Sequence, residues 1–382
     1  MTSRAPSTTA GQACASCLRR SWLLAELSGP LDCCARGQGR LLELLALPDG
    51  DLLAAVAGRR KSELKTRYQR FDPPTTPAQR EMQAICRHAP HYPAALNGPA
   101  APHLLHLSGR VERLATLTAR PVVAIVGSSK ASDYGWEMAR SLARGMAASG
   151  VTVAAGLTDG IASAAHAGAL DAAGASIAVL SDGLGVSCPA RRRSLCERIE
   201  RHGCAVSELP RDCRGRFWAQ LACERIVVEV AALTVVVEAE DSPGELAAAR
   251  IAEALGRPVA AIPGRVTSPL SRGTHALLME GASLVRAPQD VLELLCQLDL
   301  SRADRRAMRS ATVAGEPALG LTPSLRATLE LVGAGCDTPD RLMRAGADPA
   351  QVLLALSELE LMGLLARGSG GRYVPRNALA QA

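Results

Sequence analysis

The sequence predicts an α/β fold built on a doubly wound, mostly parallel sheet, with a small helical domain before it and a winged-helix-like domain after it. From Val122 onward, short apolar runs without polar alternation are separated by segments of helical periodicity. Strands that are apolar on both faces and joined by helices are typical of a parallel sheet covered on each side. A Pro-rich stretch at 72–77 and a polar stretch at 300–320 separate this region from the two flanking helical regions.

The composition is that of a globular protein with a mildly basic balance. The chain has 382 residues, of which 48% are hydrophobic, and 43 Lys and Arg against 37 Asp and Glu give a net charge of +6. This length suits two or three domains. No apolar run reaches the roughly 18 residues of a membrane span, and no apolar segment follows the N-terminal charge, so we expect a cytoplasmic protein without membrane contact.

The region before the sheet is predicted to contain a helical domain that ends at the Pro-rich stretch 72–77. Residues 1–12 are rich in Ser, Thr and Ala, and we expect them to be disordered. Leucines at helical spacing predict a domain of short helices over 13–71, broken at Gly29-Pro30 and at Pro48-Asp49-Gly50. Residues 72–110 are interpreted as a linker and the segment that leads into the sheet.

The central domain is predicted over 111–299, with strands and helices in alternation. The strands are expected at Val122–Val126, Val151–Ala155, Ser176–Leu180, Ala205–Glu208, Leu233–Glu238, Val259–Ile262 and Ser283–Val285. The helices between them are expected at Gly135–Ala148, Gly160–Ala173, Arg191–His202 and Glu245–Leu255.

The C-terminal region is predicted to be winged-helix-like over 321–376, after a linker at 300–320. Three short helices are expected near Ser324–Val332, Thr338–Ala345 and Asp348–Met362, followed by a hairpin. The third helix, which would be the recognition helix, contains no Lys or Arg, and the six Arg of the region are balanced by six acids. We therefore expect this tail to contact protein rather than nucleic acid.

Small residues follow the first two predicted strands, where a doubly wound sheet binds its ligands. These loops are Gly127–Lys130 and Gly156–Gly160. Free N–H groups at helix N-termini can hold a phosphate there, and ordinary strand-to-helix turns also need small residues. Neither loop has the dinucleotide fingerprint, and the chain has no P-loop motif, so NAD and ATP sites are disfavoured.

Further cations are predicted at the same edge of the sheet. The run Arg191–Arg193 begins a helix, where cations oppose the helix dipole and so suggest an anionic partner. Arg225 and Arg272 lie in later segments of the same domain. For any one Arg the alternative is a solvated surface charge. The grouping of several at one edge favours a phosphate-bearing ligand.

Taken in order, these motifs resemble the DNA-processing protein A family (DprA, also called Smf). The resemblance covers roughly 120–290, and the flanking helical domain, interpreted as SAM-like, and the winged-helix-like tail also fit it. The matching segments are Val123–Ser128, Gly156–Ile161, Ala164–Leu170, Arg225–Ile226, Val236–Ala239 and Pro263–Thr274.

The resemblance implies an extended Rossmann-like domain that binds single-stranded DNA and acts without enzymatic activity, cofactor or metal. It also implies a homodimer that loads the RecA recombinase onto incoming DNA during natural transformation. Trp218 could stack on a base, although a lone Trp is as often a core residue. The DNA-binding residues implied in this sequence are Gly127, Ser128, Ser129, Lys130, Gly156, Thr158, Gly160, Arg191, Arg192, Arg193, Trp218, Arg225, Gly244, Arg272, Gly273 and Thr274.

The sequence departs from the family pattern in these segments. Ser129 stands where the family has Arg, with Lys130 one position on, and Asp159 exchanges a cation for an anion. An aromatic residue, one Arg and an Asn are missing from the segment Gln220–Val227, and Glu245 replaces a Ser. Each lost phosphate contact lowers the affinity for DNA and its salt dependence. The alternative is therefore a module that binds a nucleotide or nucleotide derivative and has lost DNA loading.

Several other features have both a structural and a functional interpretation. Cys14-X2-Cys17 followed by Cys33-Cys34 suggests zinc, but adjacent cysteines are awkward ligands, and Cys86, His88 and His91 are interpreted as a chance grouping. Without an export signal, the twelve cysteines are expected to be mostly buried thiols rather than disulfides. No catalytic pairing can be argued from spacing, and His166 lies within an Ala-rich helix. A basic run is either a solvated helix face or an auxiliary DNA site, formed by Arg59, Arg60, Lys65 and Arg67.

Overall fold

The computed structural model describes residues 13–38, 40–73, 83–186, 188–298, 322–333, 336, 338–344, 348–362, 364–367 and 373–375. The chain divides into two units, Met1–Leu300 and Ser301–Ala382. The predictions for 1–12, for 300–320 and for the turn of the tail hairpin lie outside the described residues. None of the helices described here combines the length and apolarity that crossing a bilayer requires.

A sheet forms the centre of the first unit, with nine strands among the described residues in the order β1-β2-β6-β5-β4-β3-β7-β8-β9. The strands from β6 to β9 in this order are parallel, and β1 and β2 are added antiparallel at one edge. The strands are β1 Gln83–Cys86, β2 Leu104–Ser108, β3 Val122–Val126, β4 Thr152–Gly156, β5 Ser176–Leu180, β6 Cys204–Ser207, β7 Leu233–Val236, β8 Val259–Ala261 and β9 Ser283–Leu284.

The central strands are buried on both faces, which confirms the predicted doubly wound, mostly parallel architecture. Every residue of β3 and of β4 is buried. Their side chains contribute alternately to two apolar cores, one on each side of the sheet: Val122 and Ala124 lie in one, Val123 and Ile125 in the other. The few polar side chains on the central strands are buried, and those of Thr152 and Ser176 are hydrogen-bonded within the protein, so the groups that can meet a ligand lie in the loops at the edges of the sheet.

Two strands lie in the segment that was interpreted as a linker and lead-in. β1 and β2 are only four and five residues long, and the residues between them include prolines and glycines at turns. Strands this short, separated by turn residues, give a weak periodic signal. The division of the helical region from the sheet at 72–110 stays a prediction, because the structure groups both in one unit.

Helices cover both faces of the sheet and precede it. Among the described residues, five lie before the sheet and eight lie within it and after it to residue 298. The 3-10 turns occupy Gly58–Arg60, Ala190–Arg192 and Pro269–Ser271. The helices are α1 Ala15–Glu26, α2 Ser28–Gln38, α3 Leu41–Ala46, α4 Asp49–Val56, α5 Lys61–Arg70, α6 Val111–Thr118, α7 Asp133–Ala148, α8 Ile161–Asp171, α9 Arg193–His202, α10 Phe217–Val230, α11 Ala247–Ala254, α12 Arg272–Met279 and α13 at 288–298.

Trp218 of α10 joins the N-terminal helices to the sheet. Its side chain is fully buried among leucines of α1 and α2 such as Leu23 and Leu31, and its indole Nε1 donates to the Ser28 hydroxyl at 2.8 Å. The Asp32 carboxylate accepts from the Trp218 backbone N–H at 3.1 Å. The expectation that Trp218 stacks on a base is therefore wrong, because its ring does not reach the surface.

The second unit contains the predicted order of elements. Its helices are α14 Pro323–Gly333, α15 Pro339–Arg344 and α16 Pro349–Leu361, and the antiparallel strands β10 Leu365–Arg367 and β11 Tyr373–Pro375 follow them. Leu356, Leu359 and Tyr373 are buried in a core of its own. Assignment of this unit to the winged-helix class stays a prediction.

One pair of cysteines departs from the expectation of free thiols. Cys188 and Cys196 are joined by a disulfide near the start of α9. The remaining cysteines of the described residues are free, and four of them are buried: Cys17, Cys86, Cys204 and Cys223.

The burial of Trp218 leads to a prediction about stability. Trp218→Ala should lower the free energy of unfolding by about 3–5 kcal/mol, because it opens a cavity between the N-terminal helices and α10. Trp136, which is 40% exposed, offers the same substitution on the surface, so Trp136→Ala should cost much less. Urea unfolding followed by circular dichroism measures both, and equal losses would contradict the assignment of Trp218 to the core.

Candidate nucleic-acid interface

A cleft of about 480 Å³ opens at the carboxyl ends of the parallel strands. Its walls are the loops that follow β3, β4, β5 and β7, together with the first half of α10. β3 and β7 are neighbours in the sheet. The chain leaves β3 toward one edge of the sheet, to β4, and leaves β7 toward the other edge, to β8. The cleft therefore lies at the topological switch point, where open α/β sheets bind ligands.

The cleft collects part of the predicted site. Five of the predicted residues line it, and others of the set lie at its rim or in the core. The five are Gly127, Ser129, Thr158, Arg192 and Gly244.

The glycines of the first two loops are required by close backbone packing. Gly127 has φ +152°, and a Cβ there would lie 2.5 Å from the Glu238 carbonyl oxygen. Gly160 has φ +69°, and a Cβ there would lie 2.3 Å from the carbonyl oxygen of Ser128. That carbonyl accepts from the Ile161 N–H at 3.1 Å, which ties the β3 loop to the start of α8. These glycines shape the cleft whatever it binds.

The hydroxyl of Ser128 is already engaged within the protein. Ser128 is buried, and its Oγ donates to Oε1 of Glu245 at 2.8 Å while accepting from the Lys130 N–H at 3.2 Å. The other oxygen of Glu245 accepts from the Glu240 N–H at 2.8 Å. Glu245 thus holds the β3 loop against the β7 loop, and Ser128 positions the cleft wall rather than facing a ligand.

Asp159 forms ion pairs with two members of the arginine run. Its carboxylate is bound by the guanidinium of Arg191, whose Nε lies 3.1 Å from Oδ1, and the Nε of Arg192 lies 3.6 Å from the same oxygen. Arg192 also donates to the Leu157 carbonyl. By contrast, Arg193 and Lys130 are exposed, and within the described ranges neither has an ion-pair partner. These two cations are the ones available to a phosphate.

Arg225 does not reach the cleft, so its expected role as a phosphate contact is wrong. The side chain is completely buried, and its guanidinium donates to the Ala100 carbonyl and to Oε2 of Glu208, both at 2.6 Å. Glu208 is itself 7% exposed, so the pair is an internal ion pair that ties α10 to the end of β6. The apolar neighbours Ile226 and Val227 were the sequence signal for this burial.

The last predicted segment, at the start of α12, lies outside the cleft. Gly273 and Thr274 are buried, the Gly273 N–H donates to the Ala239 carbonyl at 3.0 Å, and the Thr274 hydroxyl donates to the Ser271 carbonyl at 3.1 Å. Their expected place as lining of the same pocket is therefore wrong, and only Arg272 of the three is exposed. Gly156 is likewise buried, at the end of β4.

Several cleft residues were not predicted as part of the site. Phe217, next to the proposed Trp218, lines the wall, and the guanidinium of Arg36 lies 4.8 Å from the centre of its ring. Asp182 and Glu224 also line the cleft. The signal for Phe217 was present, since it is one of only two Phe in the chain. The acids had no recognisable motif.

Glu224 is the least satisfied polar side chain of the cleft. Its Oε2 is buried and has no hydrogen-bond partner among the described residues. Loss of hydration raises the pKa of Glu224 to about 7. The cleft also holds the carboxylates of Asp159, Asp182 and Glu245 against the single cation Arg192. The lining around Asp182 and Glu224, called the floor below, is therefore acidic. The exposed cations Lys130 and Arg193 adjoin the lining residues Ser129 and Arg192 in the chain, and these positions are called the rim.

His166 and two arginines of the basic run have partners within the protein. His166 is fully buried, with Nδ1 2.7 Å from the Ser176 hydroxyl and Nε2 3.1 Å from the Gly156 carbonyl, and burial lowers its pKa to about 4. In the basic run, Arg60 and Arg67 are paired with Glu26 and Glu63. Its remaining members Arg59 and Lys65 are exposed.

These observations define a class of protein: a doubly wound α/β fold with a ligand cleft at its switch point, flanked by a helical region and a small C-terminal unit. The chain belongs to the family of DNA recombination-mediator protein A, whose model matches residues 83–296. A putative DNA processing protein DprA from Mycobacterium tuberculosis is 38% identical over 265 residues, which are 68% of this chain and 66% of that protein. Protein Smf from Escherichia coli is 36% identical over 259 residues, 67% and 68% of the two chains.

Solved structures support the same fold. The crystal structure of DprA from Streptococcus pneumoniae is similar with a TM-score of 0.58 at 29% identity, covering 72% of this chain and 95% of that one. DNA processing protein A from Helicobacter pylori, studied for its single-stranded DNA binding mode, is similar with a TM-score of 0.50 at 24% identity, over 57% and 97% of the two chains. The predicted Rossmann-like fold of the family is confirmed.

The buried ion pair leads to a second prediction. Arg225→Ala should lower the free energy of unfolding by about 3–5 kcal/mol, because it leaves the Glu208 carboxylate buried without its partner. Arg193→Ala, which removes an exposed cation, should change the free energy of unfolding by less than about 0.5 kcal/mol. Chemical unfolding of both variants tests the assignment. If the Arg225→Ala protein is as stable as the parent but binds its ligand more weakly, the structural role is contradicted and Arg225 is a ligand contact.

Glu224 leads to a prediction about pH. Burial raises the pKa of the Glu224 carboxyl to about 7 in the folded chain, whereas its pKa in the unfolded chain is 4.5. Between pH 4.5 and pH 7 only the unfolded chain loses this proton, so the free energy of unfolding falls as the pH rises through this range. Glu224→Gln removes this loss and should gain up to about 3 kcal/mol over the parent between pH 5 and pH 8. Parallel unfolding curves across this range measure the gain. The exposed Glu137→Gln is the matched control, and an equal gain there would contradict the role of burial.

Proposed function

We propose that this chain is a cytoplasmic, non-enzymatic mediator of recombination that binds single-stranded DNA, protects it and loads RecA onto it during natural transformation. The observation that carries the proposal is the family match over 83–296, which coincides with the sheet and its switch-point cleft. The mycobacterial relative is matched over slightly less than two thirds of its length, so its whole activity is carried over here as a proposal.

The DNA strand in this proposal follows the rim of the cleft. Lys130 and Arg193 would contact phosphates, since both are exposed and free of ion pairs in the described part of the chain. Phe217 gives the wall one aromatic surface on which a base can stack, with Arg36 against the ring. The acidic floor disfavours a phosphate there and suits the N–H groups of a base edge.

The acidic floor also favours the second candidate, a module that binds a nucleotide or nucleotide derivative. Glu224 offers a buried oxygen without a partner among the described residues, and Asp182 lies on the same floor. A single base with its exocyclic amino group would satisfy such acceptors without requiring a run of phosphate contacts. In this second candidate function, the fold and the cleft are the same, but the chain does not load RecA onto DNA.

Protein partners are proposed for the second unit, and a homodimer for the whole chain. The helix α16 carries no Lys or Arg and exposes Leu353, Leu354 and Leu361. An exposed apolar helix without cations supports contact with protein rather than with DNA. RecA and a second copy of this chain are the partners that the family assignment suggests.

Fluorescence anisotropy of labelled oligo-dT at several salt concentrations tests the proposal. The protein should bind with an affinity that falls as salt rises, and Lys130→Ala/Arg193→Ala should reduce the salt slope by roughly 1.4, the contribution of two single-strand phosphate contacts. The matched control is Arg110→Ala/Arg120→Ala, which removes two exposed cations from the opposite edge of the sheet.

Each outcome distinguishes the candidates. Length-dependent binding that weakens in the first double variant and not in the control supports the mediator at this cleft. Equal weakening in both double variants contradicts the placement at the rim. Saturable binding of mononucleotides without binding of oligo-dT at low salt would replace the mediator with the nucleotide-binding module.

A further inference from the structure

A cluster of three cysteines and one histidine lies at the β1 edge of the sheet, and none of its members lines the cleft. Cys14 and Cys17 come from the start of α1, and Cys86 and His88 come from the end of β1 and the turn after it. Their ligand atoms all lie within 4.8 Å of one another. We propose that this cluster is a structural zinc site.

The distances fit one tetrahedral metal ion. Nδ1 of His88 lies 3.4 Å from Sγ of Cys14, 3.4 Å from Sγ of Cys17 and 4.0 Å from Sγ of Cys86. With zinc bonds of about 2.3 Å to sulfur and 2.0–2.1 Å to nitrogen, tetrahedral geometry places sulfur and nitrogen about 3.6 Å apart and two sulfurs about 3.8 Å apart. The three sulfur–nitrogen distances are therefore close to those of a single tetrahedral site.

The chemistry of the ligand set selects zinc and a structural role. Three thiolates and one imidazole form a recognised zinc set, whereas Mg²⁺ and Ca²⁺ take oxygen ligands. All four positions are protein atoms, so no open position is left for a reacting water. His88 is exposed and Cys14 half-buried, while Cys17 and Cys86 are buried, so the ion would enter from the surface.

The surroundings favour thiolates at these positions. Cys14 is the N-cap of α1, where the helix dipole stabilises negative charge. Its backbone N–H lies 3.5 Å from Sγ of Cys86, a contact that orients and stabilises a sulfur ligand. The Ser16 hydroxyl lies 3.1 Å from Sγ of Cys14. These are the outer contacts that a metal-bound thiolate needs.

The cluster replaces the sequence-based zinc hypothesis with a different ligand set. Cys33 is exposed and Cys34 packs against the separate core around Trp218, so neither joins Cys14 and Cys17. The grouping of Cys86 with His88, interpreted from the sequence as chance, supplies the other two ligands. The ion would fasten α1 to the antiparallel edge of the sheet across a chain separation of 71 residues.

Metal analysis of the purified full chain tests the site. After expression with zinc, reduction and desalting, the protein should hold about one zinc ion per chain. Cys17→Ser should retain less than about a tenth of this, and His88→Ala should bind zinc at least tenfold more weakly in competition with a chromogenic chelator. Cys33→Ser, which alters an exposed thiol outside the cluster, should retain the parent's zinc content.

Cobalt spectroscopy keeps the test decisive if Cys17→Ser fails to fold. Cobalt bound to the parent chain should give the visible bands of tetrahedral coordination with thiolate charge transfer, and His88→Ala should change them. A parent chain without zinc and without these bands would overturn the proposal. Iron in place of zinc, or zinc unchanged in both Cys17→Ser and His88→Ala, would overturn it as well.

Discussion

The burial of α10 between the sheet and the N-terminal helices is the constraint on which the rest of this structure depends. Trp218, Ala222 and Arg225 follow one another at helical spacing and lie in the interior, whereas Phe217, Leu221 and Glu224 follow at the same spacing along the cleft wall. One helix therefore supplies a core anchor, an internal ion pair and the ligand-facing side chains. A residue's role in α10 depends on its angular position rather than on its chemical type.

This dependence explains how far the sequence could predict the site. The strands were predictable because buried parallel strands are largely apolar, and β3 and β5 have the bounds that the pattern indicates. The loop glycines were predictable because strand-to-helix turns follow such strands. The sequence could not predict which face of α10 is buried and which lines the cleft. A helix that is apolar on most sides has no periodicity that distinguishes the two faces. Arg225 and Trp218 were misplaced for this reason.

The electrostatics of the cleft follow from local compensation. Asp159 introduces an anion beside the arginine run and pairs with Arg191 and Arg192, so it offsets part of the positive charge of the run. The Glu245 carboxylate likewise accepts hydrogen bonds from the Ser128 hydroxyl and from the Glu240 N–H. What remains is one unsatisfied acid, Glu224, on the floor and two free cations at the rim. A ligand that presents phosphates outward and bases inward matches this distribution better than one buried phosphate does.

The cysteine cluster lies beside a short strand at the edge of the sheet. β1 is a strand of four residues at the edge of the sheet, and an edge strand of this length has few hydrogen bonds to hold it. Cys17 and Leu18 of α1 pack on Ala84, Cys86 and Leu104, which makes only a small apolar cluster. Because metal binding to such a set is coupled to folding, an ion there would fix β1 and α1 together where the apolar cluster is small. No periodicity could reveal this site, since its two pairs of ligands are distant in the chain and become neighbours only when β1 joins the sheet.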